Sequence, residues 1–81
     1  MNSKIVLLVD DDCDDVDFFA EVTAEIEDII LKCSEDAIEG FKQLSAMEVI
    51  PALIVVDAGM PRMNGWEFIR LVKRDGRFRE I

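Results

Sequence analysis

The sequence is poor in cysteine, in basic residues and in long apolar runs, and each shortage argues against a class of protein. Its two cysteines, Cys13 and Cys33, form no CxxC pair, which predicts reduced, space-filling thiols rather than disulfides or a zinc site. Nine basic residues against 18 acidic ones give a net charge of −9, so we expect no direct binding of nucleic acid. No run is long enough to cross a membrane, and no leader opens the chain. We expect a soluble, cytoplasmic protein without a membrane partner.

The 81 residues contain enough apolar sequence for one small domain, since 51% of them are hydrophobic. Short apolar runs alternate with longer amphipathic segments, and no repeat or linker interrupts them. The runs Ile5–Val9, Ile29–Leu31 and Leu53–Val56 are predicted β-strands, and the first is apolar enough to be buried on both faces. Strands that alternate with helices indicate an α/β fold with a parallel sheet.

The amphipathic segments after these strands are predicted helices. The first runs from about Asp14 to Ile26, and the second follows Ser34 as its N-cap. The third follows Asn64, with Glu67 at capping-box spacing and Gly76 as its stop. The positions expected on the apolar faces are Val16, Phe19, Val22 and Ile26 in the first helix, Ala37, Phe41 and Leu44 in the second, and Phe68, Ile69 and Val72 in the third.

Acidic residues directly follow the first and third strands. Asp10 and Asp11 come after the first, and Asp57 comes after the third. In open parallel sheets, ligands bind beyond the carboxyl ends of the strands, so the three carboxylates converge if these strands are neighbours. Clustered carboxylates either take up protons or hold a cation, and an all-oxygen set with open positions favours Mg²⁺. Asp57 would then be a nucleophile able to form an acyl phosphate.

Other interpretations of the acidic run at positions 10–15 are open. Any one aspartate after a strand can simply cap a helix or face water. The run also has carboxylates at the spacing of a calcium loop, but Asp15 stands where that loop needs glycine. Asp10-x-Asp12 begins the haloacid-dehalogenase-type phosphatase motif, although Asp14 replaces its Thr or Val and the chain is short for that fold.

The stretch from Val56 to Gly65, together with Val9–Asp11, resembles the D-x-x-M-P-x-M-x-G signature of response-regulator receiver domains. The resemblance runs from about Lys4 to the end of the chain. It implies a flavodoxin-like, doubly wound sheet with the order β-α-β-α-β-α and strand order 2-1-3, as a partial receiver domain over residues 1–81. It also implies phosphorelay signalling, in which a histidine kinase or phosphotransfer protein supplies the phosphoryl group. Such a domain catalyses only its own phosphorylation and dephosphorylation.

The resemblance assigns roles to the acidic positions. Asp57 is similar to the phosphoacceptor, Asp11 to the direct Mg²⁺ ligand, and Asp10 to the residue that acts through water. The backbone carbonyl of Gly59 is similar to the main-chain metal ligand. Because Gly59 lacks the side chain that often stands there in the family, the lifetime of the phosphorylated state stays open.

Residues beside the acceptor are expected to shape its loop. The resemblance gives this role to Met60 and Pro61, and Gly65 is expected to permit the turn into the third helix. Trp66 is expected to pack at the start of that helix. It would also lie close enough to the site to report metal binding by fluorescence.

The resemblance also implies parts beyond these 81 residues: two further strand–helix units, a Ser or Thr after the fourth strand and a Lys after the fifth. We therefore expect the chain alone to phosphorylate poorly or not at all. A receiver-like interaction module that works without phosphate is the alternative. The third strand would also lie at an uncovered edge, which predicts a homodimer or a strand-exchanged assembly.

Overall fold

The chain folds into a three-stranded parallel sheet with a helix after each strand. The computed structural model describes residues 3–60 and 62–81, without the side chain of Cys13. None of the helices in these ranges is long and apolar enough to span a membrane. The strand order 2-1-3 confirms the predicted α/β architecture. The elements are β1 (Lys4–Val9), α1 (Cys13–Ala24), β2 (Ile29–Ser34), α2 (Ala37–Ala46), β3 (Leu53–Val56) and α3 (Gly65–Arg74).

β1 is the central strand, and it is buried from Val6 to Val9. A continuous aliphatic run suits this position because a central parallel strand is covered on both faces. It pairs with both neighbours in a register that places Val9 opposite Ser34 of β2 and Val56 of β3. The residues after these three positions therefore leave the sheet at the same edge.

The main core lies between the sheet and helices α2 and α3. The predicted core positions Leu44 and Phe68 are fully buried in it, whereas Ile69 faces a groove at the open edge of β3 and is partly exposed. The buried cluster consists of Leu7, Val9, Ala37, Leu44, Met60, Phe68, Val72 and Phe78.

Helix α1 buries less of its apolar face than the sequence pattern predicts. It packs chiefly against β2, and Val16 and Phe19 are half-buried. Val22 is exposed, and so is Ile26, which lies beyond the end of the helix at Ala24. The predicted end of the helix at Ile26 is therefore wrong, and so is the predicted burial of Val22 and Ile26. An edge strand such as β2 covers only part of a helix packed on it.

The N-cap of α2 is Asp36 and not Ser34. The Asp36 side chain accepts a hydrogen bond from the backbone N–H of Glu39 at 2.8 Å. Ser34 is instead the last residue of β2, opposite Val9, and its hydroxyl hydrogen-bonds to Gln43. Strand pairing extends past the three apolar residues that marked β2 in the sequence, so the predicted cap is wrong by two positions.

Helix α3 begins at the predicted capping box and ends just before the predicted stop at Gly76. Asn64 and Glu67 form the capping box, with the Glu67 N–H donating to the Asn64 side chain at 2.9 Å. The helix ends at Arg74, where the Asp75 N–H donates to the carbonyl of Val72. Gly76 directly follows that cap, at the predicted stop, but it does not adopt a positive φ.

Two side chains expected to be packed are exposed. Trp66 is 65% exposed, so the prediction that it packs is wrong. Position 66 lies on the first turn of α3, on the side away from the buried Phe68. Cys33 is a free, exposed thiol rather than a space-filling one.

Candidate functional site

Each acidic side chain of the predicted site is placed by the end of a strand. Asp10 follows β1 and is only 7% exposed, and its N–H donates to the Ser34 carbonyl at 3.0 Å. Asp57 follows β3 and is half-buried, and its N–H donates to the Val9 carbonyl at 3.0 Å. Asp11 is exposed beside them. The sheet thus extends its hydrogen bonding by one residue at this edge, which fixes the backbone of two of the three aspartates.

The three carboxylates converge. One oxygen from each of Asp10, Asp11 and Asp57 lies within 4.8 Å of the others. This arrangement follows from the strand order, because β1 and β3 are neighbours and end in register. The predicted convergence is therefore present.

Local hydrogen bonds orient two of these carboxylates. The backbone N–H of Asp12 donates to Asp10 Oδ1 at 2.9 Å, and the N–H of Gly59 donates to Asp57 Oδ1 at 3.1 Å. A carboxylate with one oxygen held by an amide keeps the other free for a further ligand. The Asp12 side chain caps α1 by accepting from the Asp14 N–H at 2.9 Å.

The loop between β3 and α3 packs closely on the backbone of Asp57. The Gly65 N–H donates to the Ala58 carbonyl at 3.2 Å, and a Cβ at position 65 would lie 2.6 Å from the Asp57 carbonyl oxygen. Only glycine fits there without moving backbone atoms. Met60 is buried in the core, whereas Pro61 lies outside the described residues.

Asp15 lies near this acidic cluster, on the exposed first turn of α1. A hydrogen bond with Asp10 raises the pKa of Asp15, and the negative charge of Asp10 raises it further.

The donor set fits a hard divalent cation. It consists of carboxylate oxygens that converge within one ion's reach, next to a loop that carries the Gly59 backbone. Magnesium prefers oxygen ligands, and it is commonly held by one or two carboxylates with several waters. The class of site defined here is an acidic pocket at the carboxyl edge of a doubly wound sheet, which is the edge where such sheets bind ligands.

Comparisons with known proteins find similarity to receiver domains and to a hybrid histidine kinase. No family model matches, but the chain is 34% identical over 80 residues to hybrid signal transduction histidine kinase D of Dictyostelium discoideum, covering 99% of this chain and 5% of that protein. The N-terminal domain of a response regulator receiver protein from Methanoculleus marisnigri JR1 matches with a TM-score of 0.84 and 28% identity, over 95% of this chain and 60% of the other.

Two more solved structures share the fold at lower identity. Chemotaxis protein CheY4 of Vibrio cholerae matches with a TM-score of 0.85 and 21% identity, over 95% of this chain and 62% of that one. The bacteriophytochrome response regulator AtBRR matches with a TM-score of 0.83 and 21% identity, over 100% and 64%. The chain is therefore similar to response-regulator receiver domains, and it spans less than two thirds of the solved receivers that it matches.

Proposed function

We propose that this chain is a phosphoryl-accepting receiver of two-component signalling, with Asp57 as the acceptor and Mg²⁺ as the required cofactor. The observation that carries the proposal is the convergence of Asp10, Asp11 and Asp57 within 4.8 Å at one sheet edge. The donor would be a histidine kinase or a histidine phosphotransfer protein. The domain would catalyse only its own phosphorylation and dephosphorylation, and would otherwise act as a signalling module.

The residues have distinct roles in this proposal. Asp11 and Asp57 would ligate Mg²⁺ directly, Asp10 through water, and Gly59 through its backbone carbonyl. When bound, the metal offsets negative charge on the phosphoryl oxygens. The Gly59 N–H holds Asp57 Oδ1, which orients the carboxylate for in-line attack. An Asp57 oxygen forms a bond to phosphorus as the bond from phosphorus to the donor's histidine nitrogen breaks, and that nitrogen keeps the electron pair.

The 81 residues are proposed to be poor substrates on their own. By resemblance, a receiver also uses a hydroxyl after a fourth strand and a lysine after a fifth, and the described part of the chain forms three strands. The lysine would counter the charge of the acidic pocket and bind a phosphoryl oxygen. Without either group the transition state lacks much of its electrostatic stabilisation.

We expect a longer receiver that contains this chain to gain one phosphoryl group from acetyl phosphate with Mg²⁺, and none with a chelator. Asp57→Asn should abolish the gain, which mass spectrometry would measure. Asp28→Asn is a matched control, because its exposed, left-handed position (φ 64) accepts asparagine readily.

The other outcomes separate the alternatives. A folded wild-type receiver without any mass gain would favour a phosphate-independent interaction module. Turnover of phosphate esters that depends on Asp10 but not on Asp57 would favour the phosphatase. That last reading has no support from Asp12, whose side chain is used as the helix cap.

We also propose that the 81-residue chain forms homodimers or strand-exchanged assemblies through β3. Within the described ranges, β3 pairs with β1 on one side and offers its other side to a new strand. Leu53 is 52% exposed there, beside an apolar groove that includes Ile54 and Ile69. Exposed apolar edges of this kind pair with other chains.

Light scattering should therefore detect dimers or larger species that dissociate in Leu53→Lys, because a charged edge residue disfavours strand pairing. Val49→Lys, at a loop position that is 60% exposed, is the control and should leave the assembly intact. A wild-type chain that stays monomeric at high concentration would rule out the assembly.

A further inference from the structure

Arg62 connects the loop after β3 to the start of α2. Its guanidinium Nη2 pairs with Asp36 Oδ2. The other oxygen of Asp36 accepts the Glu39 N–H that caps α2. The Asp36 side chain is only 14% exposed, so the carboxylate of this pair is largely buried and the contact is partly shielded from water. One carboxylate thus joins two elements that lie 26 residues apart in the chain.

The pair borders the same groove as two of the clustered aspartates. Because β1 lies between β2 and β3, a contact between the segments that follow β2 and β3 must pass the end of β1. Asp10 and Asp11 stand there, and both line a groove of about 550 Å³ together with Asp36 and Arg62. The bridge therefore lies beside the carboxylates that converge with Asp57.

Arg62 is also held in an unusual backbone conformation. Its φ of 68 is in the left-handed region, which residues with a Cβ seldom adopt unless other contacts maintain it.

The Glu39 N–H lowers the pKa of Asp36, partial burial opposes this, and the Arg62 charge lowers the pKa further. The carboxylate is thus ionised at neutral pH, and the contact is a full ion pair.

We propose that the Arg62–Asp36 pair is a positioning contact that fixes the loop between β3 and α3, and thereby holds Asp57 where it can share a cation with Asp10 and Asp11. The inference rests on the proposed metal site. Arg62 does not touch the cation in this arrangement. It acts through the loop, whose amides at Asp57, Gly59 and Gly65 make the hydrogen bonds described above.

Two substitutions distinguish positioning from simple charge. Arg62→Ala removes a positive charge near the pocket, which by electrostatics alone would strengthen Mg²⁺ binding. Asp36→Asn removes a negative charge, which alone would weaken it, and asparagine still caps α2. If the pair positions the loop, both variants weaken binding, by about threefold for a partly exposed pair. Calorimetric titration of the 81-residue chain with MgCl₂ measures this.

Hydrogen exchange without metal gives a second readout. Both variants should speed exchange at the amides of Asp57, Gly59 and Gly65, and Arg62→Lys should restore part of the protection. Arg70→Ala is the control, since it removes the same charge from the exposed face of α3.

The outcomes for the pair and for the metal site are separable. Tighter binding in Arg62→Ala, with wild-type exchange, would overturn positioning and leave only a charge effect. A wild-type chain whose Mg²⁺ response is unchanged by Asp57→Asn would overturn the metal site. The exchange measurement would still decide whether the pair orders the loop.

Discussion

Phe68→Ala is expected to remove a large part of the folding stability of this chain. Phe68 is fully buried between α3, α2 and the sheet, in the cluster that includes Leu7 and Leu44. Truncating a buried phenylalanine to alanine costs about 3–5 kcal/mol, because contacts are lost and a cavity remains. A domain of this length has a total stability of roughly 4–12 kcal/mol. Urea unfolding followed by far-UV circular dichroism should show the loss as a lower midpoint or as an unfolded baseline.

Trp66→Ala is the matched control for that substitution. It truncates an aromatic residue two positions earlier on the same helix, but Trp66 is 65% exposed. Surface substitutions of this kind change stability by about 0.5 kcal/mol or less. Equal losses in the two variants would contradict the assignment of Phe68 to the core. Circular dichroism is needed because Trp66 is the chain's one tryptophan.

The sheet could be predicted because its signal is local. The apolar runs of β1 and β3 are continuous, and acids follow both of them directly, so strand alternation and the strand-end rule were enough to bring Asp10 and Asp57 together. The capping box of α3 is equally local, since Asn64 and Glu67 are three residues apart. The end of β2 was harder to predict, because Lys32 and Cys33 continue the pairing without continuing the apolar run.

Features that depend on tertiary packing were missed. Trp66 and Ile69 are apolar residues of the kind that usually fill a core, but both are exposed. The rotation of α3 on the sheet turns only their neighbours Phe68 and Val72 inward. The Arg62–Asp36 pair joins residues far apart in the chain, and neither residue carries a local pattern that indicates the other. Burial of a helix face and long-range ion pairs depend on how the elements dock, which periodicity alone does not encode.

Gly65→Ala is expected to disturb both the fold and the site. A Cβ at this position would lie 2.6 Å from the Asp57 carbonyl oxygen and 2.9 Å from the Ala58 Cα. Both are backbone atoms that cannot rotate away, so α3 and the end of β3 must separate. Overpacking of this kind costs about 1–3 kcal/mol. The displacement also moves Asp57 relative to Asp10, and we expect Mg²⁺ binding to weaken by about tenfold or more.

Gly76→Ala is the control, because a Cβ there meets nothing within 4 Å and its φ is not positive. It should leave stability unchanged or raise it by about 0.4–1 kcal/mol through a less flexible unfolded chain. Urea unfolding and calorimetric Mg²⁺ titration of both variants test the two effects together. If Gly65→Ala folded and bound Mg²⁺ like the wild type, the close packing of α3 on the Asp57 backbone would not be what sets the acceptor's position.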